Sequence, residues 1–428
     1  MSTESAELNR YVWPVRLATS ISRGNLFTLY YAAFVTVGML ALLNFLQPYI
    51  LIENLKIPQG EEGALTGLLS FVTESIMICL GFFVGAWSDR IGRNILYTAG
   101  FATMALGYAV YGNVDSIAQL FVVRIVLAVG AVLIGVMFTL VQTDYPAEAD
   151  RGKLLGVTAL ITALGVTIAV VAGGQLPNLF QARGFEPVPA GARAMYVVCT
   201  VAVISALIVR LGLKRGRPAT AHENRPFRQV IREGLGAAHN NRIVLCYLTA
   251  FVSRADMTVV GLFFSLWLTT TGVEQGMTTA DALAKATMFF GLFNIVSLLW
   301  APVMGVIIDR LDRVTALVIS LVLAAVGYGG LCLVDDPMNN PVFYGWLVLL
   351  GIGVVSPVLA AQALLGQETL PELRGSVNGI FATAGAVGIL SISLIGGYLF
   401  DVWKPYPFLV VAILNVLLLI VTFWLNRK

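Results

Sequence analysis

Charge is what this chain has least of. Asp, Glu, Lys and Arg make up 12% of its 428 residues, where a soluble domain carries about 25%. With 58% hydrophobic residues and a mean hydropathy of +0.83, its solvent is a bilayer. Histidine is nearly absent: His222 and His239 are the two, and both fall in one polar stretch. No H-E-x-x-H helix, phosphate-cradling Gly-Lys-Ser/Thr loop or nucleophile elbow occurs, so we expect no enzyme, no cofactor and no direct use of ATP. Cys79, Cys199, Cys246 and Cys332 stand singly inside apolar runs. They lack the short pair spacing of a zinc or redox site and read as core thiols, with no metal. The net charge of +3 argues nothing for nucleic acid, and none is expected as a partner. Strictly alternating runs are missing too, which removes a membrane β-barrel. A cleavable signal peptide is not expected either, because the first apolar run is too long for one.

What the chain does have is long apolar runs. Taking about 20 apolar residues per crossing, they fall at Leu26 to Leu51, Gly63 to Trp87, Ile95 to Tyr111, Ile117 to Gln142, Leu154 to Leu176 and Met195 to Leu213. A second set follows at Ile243 to Thr269, Ala286 to Ile308, Val314 to Val334, Val342 to Leu365, Val377 to Phe400 and Phe408 to Leu425. The expectation is an all-α membrane protein of twelve transmembrane helices in two six-helix bundles, 26–213 and 243–428, behind an N-terminal segment, 1–25. Residues 214–242 form a basic linker with a short amphipathic helix around Phe227 to Leu235. With both termini cytoplasmic, about 20 of the Lys and Arg lie on cytoplasmic segments and about 5 on outer loops, which fixes the orientation. A bacterial inner membrane is the expected location, and nothing obliges more than a monomer.

The two sets are related. Gly85-Ala-Trp-Ser-Asp89-Arg90-Ile-Gly92-Arg93, between spans two and three, returns as Gly305-Val-Ile-Ile-Asp309-Arg310-Leu-Asp312-Arg313 between spans eight and nine. Asp144-Tyr-Pro146-Ala-Glu148, after span four, corresponds to Glu368-Thr-Leu-Pro371-Glu372, after span ten. Gly165, Gly173 and Gly174 in span five match the spacing of Gly388, Gly396 and Gly397 in span eleven, small residues that let helices approach closely in lipid. Repeats of this kind suggest two bundles moving about a midplane site.

These motifs resemble the major facilitator superfamily over essentially the whole chain. Gly85, Asp89, Arg90, Gly92 and Arg93 resemble its G-x-x-x-D-R-x-G-R signature in full, while the second copy has Asp312 in place of Gly92. Leu120-x-x-x-Arg124-x-x-Leu127-Ala128-x-Gly130 is similar to the Arg motif of the drug:proton antiporter branch, with Ala128 for its first Gly. The span-five run has Ala169-Val170 where that branch has Gly-Pro. Its first-span acid is also missing; Asn44 and Gln47 are the polar residues there. The resemblance implies alternating access, with spans one, four, seven and ten lining a central cavity.

Intramembrane ionisable residues are costly and default to function, and four occur: Glu74, Arg124, Arg254 and Asp256. Glu74 lies about 15 Å below the outer edge and Arg124 about 10 Å, one helical turn apart. We expect them to pair, either coupling protons or joining helices structurally. Arg254 and Asp256 are two residues apart, about 200° around a helix, so one faces elsewhere. Either Arg254 meets an anionic substrate group, or Asp256 carries the proton with Arg254 as its partner. Asn44, Gln47, Gln142, Asn294, Gln362 and Trp267 are further substrate-binding candidates, with helix packing as the alternative. In the repeated loops, Asp89, Arg90, Arg93, Asp309, Arg310 and Arg313 are candidates for gating.

The expected function is therefore secondary active transport of a small amphipathic or anionic organic molecule, by proton-coupled antiport in the efflux direction. Proton-coupled symport or uniport of an organic anion is the alternative. A non-transporting membrane receptor or scaffold ranks below both.

Overall fold

The computed structural model describes residues 11–12, 14–18, 21–216 and 227–426. Parts of the N-terminal segment and of the linker, including Arg217, His222 and Arg225, lie outside the described residues. A two-residue antiparallel hairpin, β1 (Tyr11–Val12) and β2 (Val15–Arg16), comes first. Among the described residues every later regular element is helical: α1 (Arg23–Tyr49), α2 (Glu62–Ile91), α3 (Arg93–Tyr111), α4 (Ile117–Asp144), α5 (Arg151–Gln181) and α6 (Pro187–Gly212). Next come the short linker helix α7 (Phe227–Gly236), then α8 (Asn241–Val259), α9 (Ser265–Glu274), α10 (Thr279–Arg310), α11 (Arg313–Leu331), α12 (Val342–Glu368), α13 (Arg374–Val402) and α14 (Tyr406–Asn426). Helix is the form in which an apolar segment satisfies every backbone group within itself, which lipid requires.

Eleven helices among the described residues are long and apolar enough to cross a membrane. The expected span at Ile95 to Tyr111 forms as α3 but is not among those eleven. Its polarity points inward: Tyr97 shares a 2.6 Å hydrogen bond with Thr36, and the Tyr108 hydroxyl donates to Met39 O at 2.7 Å. Ile95, Leu106 and Val110 form its exposed apolar stripe, so its apolar residues serve one face while its polar ones meet neighbouring helices. Lipid-facing positions elsewhere carry exposed Val122, Ile168, Leu207, Leu299 and Phe423.

The seventh span is longer than expected and continuous. α8 passes through a π-helical turn at Val260–Phe264 into α9. α1 likewise runs past Pro48 into a π turn at Ile50–Asn54; Pro48 has no N–H to give to the regular ladder.

The chain divides into two compact units, Met1–Lys56 with Val72–His222, and Ile57–Phe71 with Glu223–Lys428. In the first, α5 lies directly on α1: a Cβ at Gly165 would come within 1.9 Å of Phe34 O. In the second, α13 lies on α8 in the same manner, a Cβ at Gly388 coming within 2.2 Å of Phe251 O. The span-five and span-eleven glycines thus repeat one packing arrangement. The first turns of α2 belong to the second unit, where the Gly63 and Ala64 N–H groups both donate to the Asp401 carboxylate at 2.7 Å.

Two outcomes are expected. Gly165→Leu and Gly388→Leu each force a backbone apart and should cost at least about 1–3 kcal/mol, read as a lower melting temperature in detergent; Gly156→Leu, which meets open space, should be neutral. The loop between α11 and α12 should be insensitive to moderate acid. Asp336 accepts a 2.8 Å bond from Gln275 and N–H bonds from Met338 and Asn339. These, with the Gln275 bond foremost, hold its carboxyl below the usual range. A depressed folded value means stability present above the unfolded value and lost as pH falls through the folded one. Loop exchange protection, corrected for intrinsic rates, should therefore persist down to about pH 4 and fall below it.

Candidate transport site

In the first unit the site is built on Arg124, seven residues into α4 and 1% exposed. Its Nε donates to Thr73 Oγ1 at 3.1 Å and its Nη2 to Asn44 Oδ1 at 2.6 Å. Tyr111, Tyr108 and Glu74 are close enough to act on the guanidinium electrostatically. A buried guanidinium is tolerated when several acceptors surround it. The structure therefore gathers Arg124, Asn44 and Glu74 from α4, α1 and α2, and adds Thr73, which the sequence reading missed. Gln47, one turn beyond Asn44, is buried.

In the second unit the two charges of α8 go opposite ways. Asp256 is 0% exposed; Asn415 Nδ2 donates to its two carboxylate oxygens at 3.1 and 3.3 Å, and the Tyr328 hydroxyl donates to its backbone carbonyl at 2.7 Å. α8, α11 and α14 thus meet at one polar cluster. Asn415 was missed, although it is the one polar residue between Phe408 and Ile420. Arg254, on the other face, is exposed and about 20 Å along its helix at 1.5 Å per residue. Among the described residues it has no ion-pair partner, and its stem lies over Gly385 of α13, where a Cβ would come within 2.7 Å of Arg254 Cγ.

The repeated loops make matching clamps within each unit. Arg93 Nη1 donates to Leu140 O at 2.8 Å, and the guanidinium pairs with Asp144 and, at 3.8 Å, with Asp89. Arg313 Nη1 donates to Ala363 O at 2.5 Å. In both cases an arginine reaches the last turns of a neighbouring helix, where carbonyls and the dipole favour a cation. Gly92 turns at φ +103, a conformation costly for other residues; Asp312 instead takes φ −57 and caps α11 at Val314 N and Thr315 N. Arg90, Asp309 and Arg310 are exposed. Tyr145, beside the first clamp, accepts from Lys214 N at 3.1 Å, and burial pushes its phenol up to about 12.

The remaining candidates scatter. Gln142 Nε2 donates to Thr158 at 2.7 Å, joining α4 to α5. Trp267 is buried against Phe343 and Phe408, with ring centroids 6.3 and 5.2 Å away. Asn294 is half-buried in α10 and Gln362 is exposed on α12.

A polytopic helical protein with two internally repeated halves, buried intramembrane charges and arginine-clamped loops is of the secondary transporter class. The sequence model of the Major Facilitator Superfamily matches residues 29–393, and the chain belongs to that family. It is a multi-pass membrane transporter, not an enzyme. It is similar to magnetosome protein MamH of Paramagnetospirillum magneticum, 27% identical over 388 residues that cover 87% of this chain and 86% of MamH. Magnetosome protein MamZ of the same organism is 29% identical over 412 residues, covering 91% of this chain; the chain spans 61% of MamZ's length. Multidrug resistance protein 2 of Bacillus subtilis is 21% identical over 351 residues, 81% of this chain and 82% of that protein. The crystal structure of the nucleoside transporter NupG superposes with a TM-score of 0.72 at 13% identity, covering 94% of this chain and 99% of that one, and so shares the fold.

The two clamps should differ in strength. Arg93→Ala removes carboxylate contacts as well as a carbonyl bond, whereas Arg313→Ala removes one bond to a neutral carbonyl. Charge-assisted bonds are worth roughly twice neutral ones, so differential scanning in detergent should show the larger loss of melting temperature for Arg93→Ala.

Proposed function

We propose that the chain carries a small anionic or amphipathic organic molecule across the membrane in exchange for protons. The observation behind this reading is Arg254: a cation midway along a span, exposed and without an ion-pair partner among the described residues, is a binding group for an anion. Asn294 and Gln362 are the polar residues proposed to accompany it. Within the first unit Asn44 holds Arg124 and Gln47, one turn on, is proposed to serve the same cluster, while Gln142 and Trp267 act through packing.

Glu74 is the proposed proton carrier. Arg124 lies within electrostatic reach of it, so a change in their contact during the transport cycle moves a proton on or off. Asp256 is a second carboxylate available for this role. Asp89, Arg90 and Arg93, with Asp309, Arg310 and Arg313, gate the cytoplasmic ends of the helices. Both termini face the cytoplasm, and the bacterial inner membrane is the proposed location. Efflux is favoured by the overall motif resemblance and by the likeness to a multidrug resistance protein, whereas Ala169-Val170 in span five favours uptake. Uptake by symport is the alternative, favoured by the missing acid in the first span. The names of MamH and MamZ favour a second reading of location, tested by whether a tagged copy expressed in Paramagnetospirillum magneticum copurifies with magnetosomes.

The deciding experiment places purified protein in proteoliposomes with an internal pH dye and adds cholate, ethidium or a neutral alkyl glucoside outside. Antiport predicts lumenal alkalinisation as cholate enters, and symport predicts acidification. Cholate flux that leaves pH unchanged removes proton coupling. Glu74→Gln should abolish pH-driven flux but keep cholate exchange. Arg254→Ala should weaken cholate binding at least about tenfold, the scale of one lost charge contact; normal affinity removes Arg254 from the site.

A further inference from the structure

The two halves differ at one point of their repeated clamps, and the difference involves the linker. Asp144 and Glu368 are corresponding residues, each closing a helix, α4 and α12. In the first unit Asp144 pairs with Arg93 of the motif loop. In the second, Arg313 binds the carbonyl of Ala363, and Glu368 is held by other residues. Arg242 Nη1 lies 2.9 Å from Glu368 Oε1, Asn240 Nδ2 donates to Oε2 at 3.1 Å, and Gln367 Nε2 adds a 3.3 Å contact.

The cause is local. Where the first unit turns through Gly92 at φ +103, the second has Asp312 at φ −57, its carboxylate spent on capping α11. The chain enters α11 by a different turn, and Arg313 keeps the carbonyl contact without the carboxylate one.

Asn240 and Arg242 close the linker and open α8: Asn240 is the N-cap and accepts from Arg242 N at 2.9 Å. The linker helix α7 is itself fastened to the second unit, with Ser376 Oγ donating to Glu233 at 2.7 Å and the Tyr247 hydroxyl to Gly234 O at 2.8 Å. A cavity of about 390 Å³ lined by His239, Asn241, Arg242, Val314 and Glu368 opens beside the pair. The Arg242 side chain is 43% exposed and that of Glu368 15%. An ion pair open to water is breakable on the timescale of a conformational cycle, unlike a buried staple.

We infer that Arg242 is the second unit's counterpart of Arg93: a positioning residue through which the linker, rather than the motif loop, holds the end of α12. The inference rests on the gating role proposed above for the clamps. It makes the linker a working part of the second gate. It also explains how the second motif copy lost its glycine without leaving the acid of α12 unpaired.

Hydrogen exchange on the full-length protein in nanodiscs tests the tether without a substrate. Arg242→Glu and Glu368→Arg should each speed exchange across residues 237–246 and the last turn of α12 about tenfold, as expected for a local contact released. The double charge swap should return to within about twofold of the parent, and Arg313→Ala should leave 237–246 unchanged. In cholate-loaded proteoliposomes each single variant should lower the maximal flux at an unchanged half-saturating concentration, with recovery in the double swap. Unaltered exchange in the single variants, failure of the swap to rescue, or a flux indifferent to the pair would overturn the inference. Absence of cholate movement in the parent protein would defeat the proposed substrate class, and the exchange data would still decide whether Arg242 holds α12.

Discussion

In a bilayer no water is available to repair a missing hydrogen bond, so each polar group inside a span must meet a partner from the protein or from what the protein carries. That constraint organises the chain. It confines the backbone to helices, keeps the charged fraction at 12%, and makes the few charges within spans readable one by one. Arg124 meets Thr73 and Asn44, and Asp256 meets Asn415. Arg254 has no such partner among the described residues, and this sets it apart from the other two.

The same constraint explains how far the fold was legible. Apolar run length marked every long helix, because a segment that must bury its own backbone in lipid has little freedom in length or composition. Ends were less visible: α6 begins at Pro187 rather than near Met195, and α10 at Thr279 rather than Ala286, because these first turns are buried through small residues such as Ala190, Ala194, Ala280 and Ala282, which carry a weaker hydropathy signal than the large apolar side chains of the spans. The π turns at Ile50 and Val260 were not legible, although Pro48 marked the first as irregular. α3 was read as a span from its pattern, yet its tyrosines turn inward onto α1, a fact of tertiary packing that hydropathy does not hold.

For the site, position along a helix carried more information than residue type. The two-residue spacing of Arg254 and Asp256 required opposite faces, and they are on opposite faces. Which face each took depended on α11 and α14: Asn415 of α14 donates to the Asp256 carboxylate, and Tyr328 of α11 donates to the backbone carbonyl of the same residue. Depth brought Glu74 and Arg124 within electrostatic reach, but Thr73, one residue earlier, takes the guanidinium's hydrogen bond. Trp267 and Gln142 show the opposite case: residue types suited to ligands, used for packing because a buried neighbour was nearer.

Repetition does the rest, and it repeats contacts rather than residues. Gly165 on Phe34 and Gly388 on Phe251 are one close approach made twice. Arg93 on Leu140 and Arg313 on Ala363 are one carbonyl clamp made twice. Where Asp312 replaces Gly92 the backbone turn changes, and the acid of the neighbouring helix is satisfied from the linker at Arg242 and Asn240. The physical requirement is that the acid closing α4 or α12 be paired at the membrane edge, and either a loop or a linker arginine meets it. A degenerate motif copy is therefore no sign of a lost clamp, because the partner to look for is the one that reaches the acid rather than the one that matches the signature.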